Sequence, residues 1–164
     1  MLTQGIKFKN FKKNKKINNS QIRKKFLSLF NEKNYVLDSL KKNYKDNFSK
    51  KLINKYKKNS NFKVIGMGGS TLGTQTIYEF LKETVKKDFV FIDNLIQKKS
   101  KIKNKQSVNL VISKSGNTIE TVVNSNIYIK RGDKNIFITE NKNNYLLKLA
   151  NKLKAEIVHH NNYI

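Results

Sequence analysis

Phe62-Lys63-Val64-Ile65-Gly66-Met67-Gly68-Gly69-Ser70-Thr71-Leu72-Gly73 is an apolar run that ends in glycines and hydroxyls. Phe62 to Met67 reads as a buried strand, short and bounded by turn residues. The glycines then open a tight turn. Thr71 to Val85 follows as a helix with Leu72, Ile77, Phe80 and Leu81 at helical steps, expected to face inward. The alternation repeats downstream. Phe89 to Asp93 is a second strand, and a lysine-rich connection follows it. Val108 to Ser113 is a third strand, and Thr118 to Ile129 a helix bearing Ile119, Val122, Val123 and Ile127. Asn135 to Thr139 is a fourth strand, Tyr145 to Leu153 a helix, and Ala155 to His159 a fifth strand. Strands alternating with helices predict an α/β fold, a doubly wound five-stranded parallel sheet flanked by helices. The expected strand order is 2-1-3-4-5, with right-handed crossovers.

Upstream of Phe62 the chain is rich in Lys and Asn. Residues 1–60 are expected to form a helical N-terminal extension to an α/β domain at 61–164. Residues 1–19 read as an arm, with Ile6, Phe8 and Phe11 scattered among lysines. Ser20 reads as an N-cap for a helix carrying Ile22, Phe26, Leu29 and Phe30. A second helix is expected from Asn34, with Leu37, Leu40, Tyr44, Phe48, Leu52 and Tyr56 recurring at steps of three and four.

A chain of 164 residues can bury one core. Its net charge of +24 suggests nucleic acid, but Arg23 and Arg131 are the only arginines. Arginine makes the bidentate contacts to phosphate and guanine, so a dedicated nucleic-acid role is not expected. Such a charge does concentrate anionic metabolites. With no cysteine, disulfides, thiolate metal sites and cysteine nucleophiles are excluded. Met1 to Asn10 has no apolar signal core, and no apolar run reaches the roughly 20 residues needed to span a bilayer. A cytoplasmic chain with no membrane partner is expected.

Two glycine- and hydroxyl-rich loops each fall between a strand end and a helix start. They are Gly66 to Gly73, after strand one, and Ser113-Lys114-Ser115-Gly116-Asn117-Thr118, after strand three. In a 2-1-3-4-5 sheet these strands are neighbours at the topological switch point, where this fold binds ligands. The second loop suits a phosphate. A helix N-terminus offers free N–H groups and partial positive charge. Ser113, Ser115 and Thr118 add hydroxyls, Lys114 adds charge, and Gly116 lets the backbone approach a ligand without a Cβ. Asn117 with Glu120 can also act as a capping pair, but capping alone does not call for three hydroxyls around a glycine.

In the first loop, Gly69 and Ser70 open the helix, and Ser70 is the expected ligand contact. Two nucleotide-binding patterns fail there. Thr71 stands where a dinucleotide fingerprint needs its third glycine, and Thr74 where a Walker loop needs lysine. His159 and His160 read as the end of strand five, without a third metal ligand. Glu79 and Glu83 read as partners of Lys82, Lys86 and Lys87 on a wet face.

Together the loops resemble the sugar isomerase (SIS) domain family. Ser113 to Thr121 looks like its S-x-S-G-x-T-x-E-T phosphosugar motif, which is shared by amidotransferase, epimerase and regulator members. Gly66 to Gly73 looks like the G-x-G-G-S-x-L-G stretch of the glucose-6-phosphate isomerases, and a helical segment before the first SIS domain also fits them. The resemblance covers most of 62–164. It implies that Ser113, Lys114, Ser115 and Thr118, with the backbone of Gly116 and Asn117, hold a substrate phosphate. It also implies that Gly69 and Ser70 touch substrate and that Glu120 lies near a catalytic histidine.

The implied reaction interconverts glucose 6-phosphate and fructose 6-phosphate, in glycolysis and gluconeogenesis. It proceeds through an enediol with a carboxylate base and needs no metal or redox cofactor. The partners implied are the sugar phosphate and a second subunit in a homodimer. The chain departs from many such isomerases at Ser115 and Gly116, where they carry Thr and a bulky residue. The family's catalytic arginine, base glutamate, ring-opening histidine and lysine have no counterpart up to Ile164. The expectation is therefore an N-terminal fragment that binds phosphate and lacks the base. The alternative is a stand-alone SIS module that binds a phosphosugar for regulation, or another phosphosugar isomerase or transferase.

Overall fold

A computed structural model of the chain describes residues 19–32, 34–95, 106–130 and 132–161. The N-terminal arm, the lysine-rich connection after strand two and Arg131 lie outside the described residues. The chain divides into two compact units, Met1–Lys42 and Asn43–Ile164.

The first unit holds α1 (Asn19–Leu29) and α2 (Tyr35–Asp38). Ser20 lies inside α1 and does not precede it. Phe26 and Phe30 meet edge to face at 5.1 Å. Ile22, Phe26, Leu29 and Phe30 are all exposed.

The long helix expected from Asn34 does not form. It is replaced by α2 and, in the second unit, α3 (Lys50–Tyr56). Each piece has its own cap. The Asn34 side chain accepts from Val36 N at 2.9 Å, and the Ser49 hydroxyl from Leu52 N at 3.2 Å. Between them the Asn47 side chain donates to His159 O at 3.0 Å. Short polar side chains with such bonds compete with helical backbone, and here they prevail over the apolar spacing.

The rest of the second unit runs β1 (Asn61–Gly66), α4 (Gly69–Leu81), β2 (Asp88–Ile92), β3 (Val108–Ile112), α5 (Ile119–Tyr128), β4 (Lys134–Thr139), α6 (Tyr145–Lys152) and β5 (Glu156–His159). The five strands form one sheet in the order β2-β1-β3-β4-β5. Every pairing is parallel, as expected, and the register sets Gly66 beside Ile112 and Thr139 beside His159.

Period-two alternation sends the strand side chains to two faces. Ile65, Ile92, Val111 and Phe137 pack on one face with Leu146 and Ala150 of α6 and Val122 and Tyr128 of α5. Phe62, Val108 and Ile136 pack on the other with Leu52 and Tyr56 of α3. Tyr78 of α4 joins this second face, with its ring 5.1 Å from Phe89. So α4 and α5 cover opposite faces. The crevice where they part lies at the carboxyl ends of β1 and β3.

The inward face of α4 differs from the sequence expectation. In α4, Leu72, Ile77, Phe80 and Leu81 are exposed, Phe80 at 87%, whereas Thr71 is fully buried. In α5, Ile119, Val123 and Ile127 are exposed, whereas Thr121, Asn124 and Ser125 are buried. The close approach at the end of β1 explains α4. The Thr71 methyl lies 3.0 Å from where a Cβ on Gly66 would stand, and its hydroxyl donates to Gly68 O at 3.2 Å. A small residue fits there, and that contact turns the apolar stripe outward.

Candidate functional site

The first loop is shaped by two glycines. A Cβ on Gly66 would lie 2.8 Å from the carbonyl oxygen of Ile112, so the tip of β1 can sit against β3 only without a side chain. Gly68 has φ 54° and ψ −123°, a conformation open to glycine alone. It lets the chain turn from strand to helix in two residues. Gly69 and Ser70 then form the first turn of α4, Gly69 exposed and Ser70 half-buried.

The second loop gathers its hydroxyls. Ser113 is buried, and its Oγ lies 3.0 Å from Thr118 Oγ1, which is 3.5 Å from Ser115 Oγ. The Ser113 hydroxyl accepts from Gly116 N at 3.2 Å and the Ser115 hydroxyl from Asn117 N at 3.3 Å. The three hydroxyls converge at the N-terminus of α5. Lys114 is exposed on the same loop, and Glu120 is half-buried in the first turn of α5.

The caps separate these two helices from α2, α3 and α6. The side chains of Asn34, Ser49 and Asn144 cap α2, α3 and α6. Among the described residues no side chain caps α4 or α5, although Thr118 stands at the N-cap of α5. An uncapped helix N-terminus keeps its first N–H groups and its partial positive charge available to an anion. Both helix starts flank the switch point, but in α4 the N–H groups of Ser70 and Thr71 already donate to Met67 O at 3.2 Å and Gly68 O at 3.0 Å, so α5 is the better anion end.

Two roles differ from the sequence reading. Gly116 has φ 66°, and a Cβ there would overlap the carboxamide of Asn144. Its want of a side chain thus makes room for a protein group at the head of α6. Asn117 does not cap α5; its side-chain oxygen accepts from Tyr145 N at 2.9 Å.

Asn144 and Glu140 were missed from the sequence. Asn144 carries an N-cap signal, since it stands three residues before Leu147, whose N–H it accepts at 2.8 Å. Glu140 follows β4 directly and lies 3.8 Å from Lys114 Nζ and 2.7 Å from Lys142 Nζ. The hydrogen bond from Lys142 holds the Glu140 carboxyl below its ordinary range, aided by the charges of Lys142 and Lys114.

A polar cleft of about 220 Å³ opens beside this pair, at the ends of β4 and β5. Asn47, Glu140, Asn141, Lys142, His159, His160 and Asn161 line it. The sequence-predicted residues are not among them. Within it His160 Nδ1 lies 2.7 Å from Asn161 O, while His159 Nδ1 is buried without a partner among the described residues. Glu140 connects the two places, since it reaches both the cleft and Lys114. The loops are the better candidate for an anion, because they bring donors together, whereas a carboxylate lies in the cleft.

Among the described residues no group of three or more His, Cys, Asp or Glu side chains is placed to hold a metal ion. Likewise, none of their helices is long and apolar enough to cross a membrane.

No protein-family model matches the chain. Its fold is similar to that of a hypothetical protein from Thermus thermophilus, with a TM-score of 0.63 at 17% identity. That match covers 88% of this chain and 39% of the other, and at that identity it speaks for the fold alone. Two curated relatives carry the same name. The chain is 41% identical over 97 residues to a glucose-6-phosphate isomerase of Methanocaldococcus jannaschii, covering 56% of this chain and 23% of the relative. It is 31% identical over 110 residues to a glucose-6-phosphate isomerase of Borrelia garinii subsp. bavariensis, covering 60% and 21%. The chain thus spans less than a quarter of the length of these curated relatives, and over the matched residues it is similar to glucose-6-phosphate isomerases.

Proposed function

We propose that the chain holds the phosphate of a sugar 6-phosphate in its second loop and serves the interconversion of glucose 6-phosphate and fructose 6-phosphate. One observation carries this reading: three hydroxyls, of Ser113, Ser115 and Thr118, converge on a helix N-terminus that no described side chain caps. The similarity to two glucose-6-phosphate isomerases supports the choice of ligand. In this reading the hydroxyls turn their protons from one another to the phosphate oxygens, and the first N–H groups of α5 donate beside them. Lys114 supplies charge. Gly69 and Ser70, at the start of α4 across the switch point, contact the sugar. Phosphate anchoring of this kind holds the reacting carbons in place for a proton transfer made by other groups.

Calorimetric titration of the protein with glucose 6-phosphate, fructose 6-phosphate and glucose tests this. Both phosphates should bind, and glucose should bind at least about 100-fold more weakly, since two or three charge-assisted hydrogen bonds are lost. Equal binding of glucose and its phosphate would rule the reading out. The same titration on Glu140→Gln should show about a threefold gain for the phosphates at low salt, fading as salt screens the charges. The variant frees Lys114 from a carboxylate 3.8 Å away.

A further inference from the structure

The second loop is fixed from outside by the head of α6. That helix spends its first donors on the loop: Tyr145 N donates to Asn117 Oδ1 at 2.9 Å and Leu146 N to Gly116 O at 3.1 Å. Lys114 O accepts from Glu140 N at 3.0 Å and from the Thr139 hydroxyl at 3.3 Å. Asn144 ties these together. It is 4% exposed, and its carboxamide occupies the space beside Gly116 that any Cβ would fill. Its Nδ2 donates to Thr139 Oγ1 at 3.2 Å and to Glu140 O at 3.3 Å, while its Oδ1 accepts from Leu147 N at 2.8 Å. The amide nitrogen thus holds Thr139 and Glu140, which bond Lys114 O of the loop, while the oxygen caps α6.

We infer that Asn144 is a positioning residue for the phosphate loop. Through Gly116 and Thr139 it presets the loop 113–118 in its ligand-ready form, and it touches no ligand itself. This inference rests on the proposed phosphate site. It assigns to α6, whose first N–H groups bond Gly116 and Asn117, control over the site's geometry. Gly116 and Asn144 then work as a matched pair, because one supplies the space and the positive φ that the other requires.

The test uses four single variants and one double variant of the whole protein, with two readouts, amide hydrogen exchange at Gly116 and Asn117 and calorimetric affinity for glucose 6-phosphate. Asn144→Ser keeps a capping hydroxyl for α6 and removes the carboxamide beside Gly116. It should speed exchange at both amides at least tenfold and weaken glucose 6-phosphate about tenfold. Asn144→Ala should do the same with an added loss of melting temperature. Ser49→Ala removes the cap of α3, which bonds Leu52 N and lies off this loop, and should leave both readouts unchanged. Gly116→Ala should match Asn144→Ser, and adding Asn144→Ala to Gly116→Ala should weaken binding little further, since both act on one contact. Unchanged exchange in Asn144→Ser would overturn the clamp. Faster exchange with unchanged affinity would overturn its positioning role. Wild-type protein that ignores glucose 6-phosphate would instead overturn the functional reading, and the exchange data would still decide the clamp.

Discussion

Replacing Ser113 and Thr118 together by alanine is expected to weaken glucose 6-phosphate by at least about 100-fold while the fold persists, as each charge-assisted hydrogen bond contributes about 1.5–3 kcal/mol. The two hydroxyls lie 3.0 Å apart and bond to each other. Each keeps a second partner when the other is removed, Ser113 Oγ through Gly116 N at 3.2 Å and Thr118 Oγ1 through Ser115 Oγ at 3.5 Å, so only the double variant clears both donors from the site. Gly116 N retains a second acceptor in Ser113 O at 3.2 Å, so the turn itself survives the loss of the Ser113 hydroxyl. The single variants should each lose about tenfold, because Ser115 still reaches the Thr118 position. Calorimetry on the double variant, with a thermal melt beside it, checks the claim. An affinity equal to wild type would remove the second loop from the site.

Gly66→Val should be the most damaging single change at the first loop. A Cβ there lies 2.8 Å from Ile112 O, which is backbone in the neighbouring strand, and 3.0 Å from the buried Thr71 methyl. Neither neighbour is the free end of a flexible side chain. Relief demands that β1 move away from β3, which breaks the pairing of Gly66 with Ile112 and widens the switch point. Overpacking of this kind costs about 3 kcal/mol, and in a chain of this size that lowers the melting temperature by about 10 °C. Gly69→Ala is the contrast. Nothing lies within 4 Å of a Cβ at Gly69, which sits in the first turn of α4, so its melting temperature should hold.

The sheet was legible because its central strands are largely buried and so read as short, mostly apolar runs. Val108 to Ile112 and Asn135 to Thr139 needed no knowledge of their neighbours. The two loops were legible for a related reason: glycine and hydroxyl clusters between a strand and a helix are local patterns. What faces inward on α4 was not local. Thr71 and Tyr78 meet the sheet because Gly66 draws the helix close, and Leu72 and Phe80 are left outside. The break between α2 and α3 depends likewise on Asn47 reaching His159, 112 residues away. The same holds for the roles of Gly116 and Asn117. Their partners stand on α6, 28 residues on for Asn117 and Tyr145, and no spacing rule connects a glycine in one loop to a capping asparagine in another.

Amide chemical-shift mapping during a titration with glucose 6-phosphate tests the central claim most directly. The account predicts perturbations at Gly69 and Ser70 and across 113–118, with the first turn of α5, and none with glucose at the same concentration. Perturbations confined to Asn47, Glu140 to Lys142 and His159 to Asn161 would place the ligand in the β4–β5 cleft and contradict it.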